Sequence, residues 1–369
     1  MQSVREVRMQ MNSSDPALCR SLLDRLHDLL GEKSMRFMEV CGTHTVAIFR
    51  SGLRSLLPKT ITHLSGPGCP VCVTHDAEIA AFLDLCKQDH VILATFGDLL
   101  RVPGPDGKSL KHARAEGARI EMVYSPLDAL TLARANPHDT VVFLGIGFET
   151  TAPTVAATIL QAKEEKLSNF CVFSLHKLVP PVLRVLLNDQ KTHIDAFLLP
   201  GHVSTVIGLT PYSFLQDYGV PGVVGGFEAA DILLALCHLA KAHRDNVFCL
   251  TNAYPRAVEN EGNPKARHLM ETVFYEKNAL WRGIGSIPES GLGIRDSFAA
   301  FNACERFALE ITSVPKQTAC RCGDVLKGEI TPKDCPLFGR KCTPQNPVGP
   351  CMVSTEGSCA AWYKYAGEL

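Results

Sequence analysis

Residues 140–153 read TVVFLGIGFETTAP: an apolar run over 140–144, a glycine-bearing turn from Gly145 to Thr151, then the start of an amphipathic segment. The unit recurs along the chain. Apolar runs at 36–40, 60–64, 91–95 and 120–123 precede it, and runs at 170–174, 194–199 and 219–224 follow. Nearly every run ends in a turn that carries Gly, His or Cys. Strands alternating with helical stretches at this spacing predict an α/β fold with parallel sheets and crossover helices. Two sets of four runs predict two similar Rossmann-like domains, over 31–135 and 136–250. Residues 1–30 are expected to form a polar segment, frayed over 1–15, and then a helix from Asp15 with Pro16 in its first turn. Residues 251–369 are expected to form a C-terminal α-helical and irregular domain. It would hold a helix over 264–278, a glycine-rich stretch, a helix over 295–307 and a cysteine-rich tail.

The chain has 369 residues, 46% hydrophobic and 20% charged, which excludes a disordered polymer and gives room for two or three domains. A net charge of -1 and a pI near 6.9 argue against a polyanion-binding surface, so no nucleic-acid partner is expected. The apolar runs are too short to span a bilayer and the N-terminus lacks an apolar signal core, so the expected location is cytoplasmic, with no membrane partner. In a reducing compartment, fifteen cysteines point to metal or redox chemistry rather than to a disulfide framework.

Six of these cysteines (Cys19, Cys86, Cys171, Cys237, Cys249 and Cys304) stand singly among apolar neighbours and read as buried small hydrophobes. The chemistry is expected from the other nine. In open α/β sheets functional groups collect just past the carboxyl ends of strands. There the sequence places Cys41-Gly-Thr-His44-Thr, Gly-Pro-Gly-Cys69-Pro-Val-Cys72, Gly-Phe-Glu149, His176, Pro-Gly-His202 and Gly-Phe-Glu228. Cys69 and Cys72 form a C-x-x-C ahead of an expected helix, where a thiolate is stabilised and can exchange disulfides or bind a soft metal. Cys41 with His44 offers a soft and a borderline metal ligand, or a nucleophile with its base; the plainer reading is a core thiol beside a histidine bonded to a carbonyl. His202 is the strongest histidine candidate, whereas His75 and His176 read as ordinary hydrogen-bonded side chains. Glu149 and Glu228 read as pocket carboxylates that move protons or support a metal ligand. The dinucleotide fingerprint is incomplete at Gly145-x-Gly147, and no phosphate-binding P-loop motif is present.

The tail carries Cys320, Cys322, Cys335, Cys342, Cys351 and Cys359. Four thiolates suit a cubane iron–sulfur cluster or tetrahedral zinc. The absence of paired C-x-x-C knuckles and the interposed prolines favour iron–sulfur, with two cysteines left over.

Taken together, the stretches CGTHT (41–45), GPGCPVC (66–72), GFETTAP (147–153), PGHVST (200–205) and the tail pieces CGD, CPLFG, CTP, CMVS and EGSC resemble the HypD family. That family is the iron-centre assembly scaffold of nickel–iron hydrogenase maturation, and the resemblance runs from about Phe37 to Tyr365. It implies a maturation scaffold with redox activity rather than a stand-alone metabolic enzyme. The scaffold and a HypC-type small chaperone would together hold iron carrying two cyanides and one carbon monoxide, with the cyanide delivered by a HypE-type partner. By the same resemblance Cys41 is the iron ligand, and Cys69 and Cys72 are a thiol pair that gates or supports the iron. Cys320, Cys335, Cys342 and Cys359 would hold a 4Fe–4S cluster, leaving Cys322 and Cys351 as a redox pair. Two other classes compete: a stand-alone iron–sulfur thiol–disulfide oxidoreductase, and a zinc-stabilised binding module.

Overall fold

A computed structural model of the protein describes residues 15–311 and 319–366. Apart from Asp15, the segment expected to fray lies outside these residues. The eight expected runs are strands: β1 (Met35–Glu39), β2 (Ile61–Ser65), β3 (Val91–Thr95), β4 (Ile120–Met122), β5 (Thr140–Gly145), β6 (Phe170–Ser174), β7 (Ala196–Pro200) and β8 (Gly222–Gly225). A ninth short strand, β9 (Leu250–Asn252), closes the series. All pair in parallel, as two Rossmann-like sheets with crossover helices.

The strands do not group in chain order, however. One sheet runs β2-β1-β7-β8-β9 and the other β4-β3-β5-β6. The chain therefore begins the first sheet, builds the whole of the second, and returns to finish the first. This departs from the expected division at residue 135. Its physical cause is the pairing of β1 with β7, Phe37 opposite Ala196 and Glu39 opposite Leu198, which joins strands more than 150 residues apart.

The helices follow from local sequence. Asp15 caps the helix Pro16–Leu30 by accepting the Ala17 N–H at 2.9 Å, with Pro16 in the first turn. Its Leu22, Leu26 and Leu30 meet Ile232 and Leu236 of the helix Ala229–Asp245 over Met35, Phe37 and Leu198. The second sheet buries Ile92, Val141, Phe143 and Val172 against Ala129, Leu130, Val155 and Ile159. The facing surfaces of both sheets share one further core, which includes Leu93, Leu144, Phe173, Phe197, Leu199 and Trp281. Each fully buried side chain of this kind contributes about 1.5–3 kcal/mol. Among the single cysteines, Cys86, Cys171 and Cys237 are buried, and Cys19, Cys249 and Cys304 are half-buried against the same cores.

Past residue 251 the structure corrects the expected helices. The first ends at Val273, and Phe274–Trp281 is a strand, β10, paired antiparallel with β11 (Gly285–Ile294). Phe274, Ala279 and Trp281 are buried by this pairing around a bulge after Lys277, which a helix would not achieve. The glycine-rich stretch is thus a hairpin arm. The expected helix over 295–307 is a 3-10 segment, Asp296–Phe301, then the short helix Ala303–Arg306, with non-helical backbone at Phe298. No helix among the described residues is long and apolar enough to cross a membrane.

Candidate functional site

In a parallel sheet the ligand crevice opens where neighbouring strands send their connections in opposite directions. In the first sheet this switch lies between β1 and β7, and in the second between β3 and β5. The two switch points face each other across one cleft of about 680 Å3. Cys41 and Thr43 enter it after β1, His202 after β7, Gly97 and Asp98 after β3, and Phe148, Thr150 and Thr151 after β5. The turn after β2 adds Gly68, Pro70 and Val71, and the tail adds Ser354, Thr355 and Glu356.

Cys41 is the N-cap of the helix Gly42–Arg50 and is buried. Its N–H donates to Glu39 Oε2 at 3.0 Å, and the other oxygen of Glu39 accepts from Thr45 Oγ1 at 2.6 Å. Burial pushes the Cys41 thiol up to about 12, and the Glu356 charge adds to this against the N–H groups of His44 and Thr43. A soft cation that displaces the proton would relieve that penalty. The GPG turn lies directly against it: Gly42 N–H donates to Gly68 O at 2.9 Å, and a Cβ on Gly68 would stand 2.2 Å from Cys41 N. Gly42 is equally constrained, since its Cβ would meet Glu356 Cβ at 2.5 Å.

Cys69 and Cys72 form a disulfide. Cys69 caps the single helical turn Pro70–Val73, with Sγ accepting the Cys72 N–H at 3.2 Å. The expected helix follows separately as Asp76–Leu85, and His75 is its cap, with Nδ1 accepting the Ala77 N–H at 3.2 Å. His202 lines the cleft and stacks on Phe227 at 3.9 Å between ring centroids. Burial lowers its pKa and Glu356 opposes this.

Cys69 and Cys72 lie behind the cleft wall that Gly68, Pro70 and Val71 form, and His44, Glu149 and Glu228 do not line the cleft either. His44 lies beneath it, fully buried, and donates from Nε2 to Gly226 O at 2.9 Å. Its Nδ1 is therefore a buried acceptor with no donor, and burial lowers its pKa to about 4. Glu149 faces away, because its neighbours Phe148 and Thr150 take the cleft side of the turn and its Oε1 accepts the Val179 N–H at 2.9 Å. Glu228 caps the helix Ala229–Asp245. His176, as expected, is a hydrogen-bonded side chain, its Nδ1 3.0 Å from Ser174 Oγ.

Asp98, in the Gly97-Asp98 motif that the sequence places past a strand end, lines the cleft, whereas Glu356 at the cleft and Glu39, buried against Cys41, were not legible as site residues. Glu356 accepts from Thr43 Oγ1 at 2.8 Å, Ser354 Oγ donates to Asp98 Oδ2 at 3.0 Å, and Arg101 Nη2 donates to Val353 O at 3.0 Å. The tail therefore ties both sheets together over Cys41. Only the motif EGSC hinted at this, and it says nothing of which distant residues Glu356 meets.

All six tail cysteines line one small enclosed cavity with Leu337, Phe338, Gly349 and Met352. Cys320, Cys322, Cys351 and Cys359 stand thiol beside thiol in that order. Contact with Cys322, then burial, push the Cys320 thiol up, and burial does the same to Cys342. Among the described residues no three His, Cys, Asp or Glu side chains are set in metal-ligand geometry. The donor set, six thiols in one apolar pocket, nonetheless fits a thiolate-ligated cluster in its chemistry. The cavity borders the C-x-x-C turn. Pro350–Val353, which carries Cys351, packs against Pro70–Val73, and Arg282 donates to Thr74 O at 3.2 Å while its charge acts on Cys320 and Cys322.

Comparison with known proteins places the chain among hydrogenase maturation proteins. The sequence profile of the HypD family, described as "Hydrogenase formation hypA family", matches residues 17–366. The hydrogenase expression/formation protein HupD of Azotobacter chroococcum mcd 1 is 47% identical over 343 residues, covering 91% of this chain and 90% of that protein. The hydrogenase maturation factors HypD of Azotobacter vinelandii and Escherichia coli (strain K12) are each 45% identical, over 96% and 90% of this chain and the same shares of their own lengths. With the profile spanning the sheets, the cleft and the thiol tail together, the chain belongs to the HypD family.

Proposed function

We propose that this protein acts in hydrogenase maturation as the scaffold on which an iron ion carrying two cyanides and one carbon monoxide is assembled. The observation that carries the reading is the buried Cys41 thiol at the meeting of two switch points, with His202 and Glu356 beside it and the Cys69–Cys72 disulfide on the neighbouring turn. A thiolate suits the soft, low-spin ferrous centre that cyanide and carbon monoxide favour. Glu39 holds the Cys41 backbone, and His202 and Glu356 supply polar contacts to the ligands of the iron. A HypC-type chaperone would complete the iron site from the open side of the cleft, and a HypE-type partner would bring cyanide there. Cys320, Cys335, Cys342 and Cys359 would hold a 4Fe–4S cluster, with Cys322 and Cys351 as the pair between it and Cys69–Cys72. When bound, such a cluster supplies single electrons. Pro350–Val353, which carries Cys351, packs against Pro70–Val73, so the tail thiols would neighbour the disulfide they are proposed to serve.

The test is infrared spectroscopy of the protein purified anaerobically with its chaperone. Cyanide and carbonyl stretching bands are expected, and Cys41→Ala is expected to abolish them. The Cys69–Cys72 disulfide also favours a second reading, a stand-alone iron–sulfur thiol–disulfide oxidoreductase. Absent bands together with disulfide reductase activity that needs Cys69 and Cys72 would replace the scaffold by that enzyme.

A further inference from the structure

Glu149 opens onto a second cavity, of about 580 Å3, separate from the Cys41 cleft. Its walls are the helix Val179–Asn188, the helix Pro264–Val273, the β10–β11 hairpin and the turn at Ile207. Leucine, valine, isoleucine, methionine and proline side chains supply most of the apolar surface. Set into it are the carboxylates of Glu149, Glu271, Glu276 and Glu289 against two arginines, Arg184 and Arg267.

Glu149 is only 2% exposed, and while Oε1 accepts the Val179 N–H, Oε2 is buried with no partner. A buried carboxylate oxygen left without a donor costs more than an ordinary hydrogen bond contributes. Burial raises Glu149 to about 7, and the Glu276 charge raises it as well; Glu276 is raised in turn by burial and by Glu289. Glu276 thus repels Glu149 and is itself repelled by Glu289 around a shared space. Among the described residues none of the three is in a salt bridge. Arg184 is held over the Phe214 ring, 3.9 Å from its centroid.

We propose that this cavity binds an organic cation, with a primary ammonium or guanidinium head against the free oxygen of Glu149 and an aliphatic chain along the apolar walls. The head satisfies the unpartnered oxygen and offsets the repulsion among Glu149, Glu276 and Glu289. The chain accounts for the proline- and leucine-lined remainder of the space. A metal ion fits less well, because among the described residues no three of these carboxylates are placed to share one.

Calorimetric titration of the full chain tests this in two arms. Agmatine and putrescine present the head as a free metabolite would; the N-acetyl amides of lysine and arginine present it as a partner protein's side chain would. Saturable one-to-one binding is expected in at least one arm, and the arm that binds identifies the source. Glu149→Gln, which keeps an acceptor for Val179, is expected to weaken binding by about tenfold or more, and Glu276→Gln by a smaller factor. If Glu149→Gln fails to fold, the double variant Glu276→Gln/Glu289→Gln carries the test with the same expected direction. No binding in either arm overturns the proposal. So does binding that these variants leave unchanged, or equal binding of 1-pentanol, which lacks the charge.

Discussion

In the cleft, nearly every contributing side chain stands at the end of a parallel strand or in the first turn of the helix behind it, so the hydrogen-bonded ladders of two sheets fix its position. The thiol cavity is built differently. Its cysteines ride on the short helices Cys322–Leu326 and Pro350–Val353, on the first turn of Ser358–Tyr365 and on loops, with β-structure limited to an isolated bridge between Phe338 and Cys342. Both sites gather cysteine, but one is held by backbone pairing and the other by side chains converging on a small apolar space. The first is preorganised whatever it binds. The second depends on what its thiols are bonded to.

Anaerobic reconstitution with iron and sulfide should therefore separate the two regions, with the largest effect of those expected here. Amide exchange over 319–349 should slow by about a thousandfold or more, since a group bound only by the folded tail stabilises it by mass action. Exchange in β1, β3, β5 and β7 should change little. Equal slowing in the strands would break the contrast, and no slowing in the tail would remove the cluster from it.

The same difference decided what could be read in advance. A strand in a sheet covered on both faces must be apolar along its length, so the runs containing Val141, Val142 and Phe143 or Phe170, Cys171 and Val172 declared themselves. The turns behind them were legible because Gly68 cannot carry a Cβ beside Cys41 and Gly42 cannot carry one beside Glu356. Which strand pairs with which was not. Nothing in the apolar pattern of Arg36–Phe37–Met38 says that its neighbour is Phe197 rather than Val91, because parallel pairing carries no local signature. Side-chain direction within a turn was equally hidden. Phe148 and Glu149 are adjacent in sequence, yet they face different cavities. In the tail, residue types revealed the chemistry, but the contact of Glu356 with Thr43 spans 313 residues and no spacing announces it.

Acid should sharpen the contrast more mildly. His176 stands just past β6 among sheet residues, fully buried, and burial, reinforced by Lys177 and Lys277, lowers its pKa to about 3. In the unfolded chain it takes up a proton near 6.5, so stability is complete above that pH and falls as the pH drops towards 3. By pH 4.5 the loss is about 2–3 kcal/mol. Replacing it as His176→Gln removes this dependence, so urea midpoints should show the wild type losing that amount relative to the variant between pH 7 and 4.5. A constant difference across that range would mean that His176 is charged in the folded protein. The thiols of Cys320, Cys322, Cys342 and Cys351, whose pKa values are raised, respond at the other end: they hold their protons longer than an unfolded chain does, so alkali rather than acid weakens them.

The smallest expected effect tests the point where the two constructions meet. Ser354 Oγ donates to Asp98 Oδ2, so the tail is tied to the second sheet by a hydrogen bond worth about 1–2 kcal/mol. Glu356, two residues on, is bonded to Thr43 in the first sheet and raises the Cys41 thiol. Removing the tie as Ser354→Ala should quicken exchange over 350–357 while the strands hold. It should also make Cys41 react faster with an alkylating reagent at fixed pH, because a loosened Glu356 carboxylate no longer disfavours the thiolate or covers it. If exchange quickens and Cys41 reactivity does not, the tail lies over the cleft without governing it. A rise in both means that a loop-built region sets the chemistry of a sheet-built site, through a single carboxylate whose position depends on a hydroxyl two residues away.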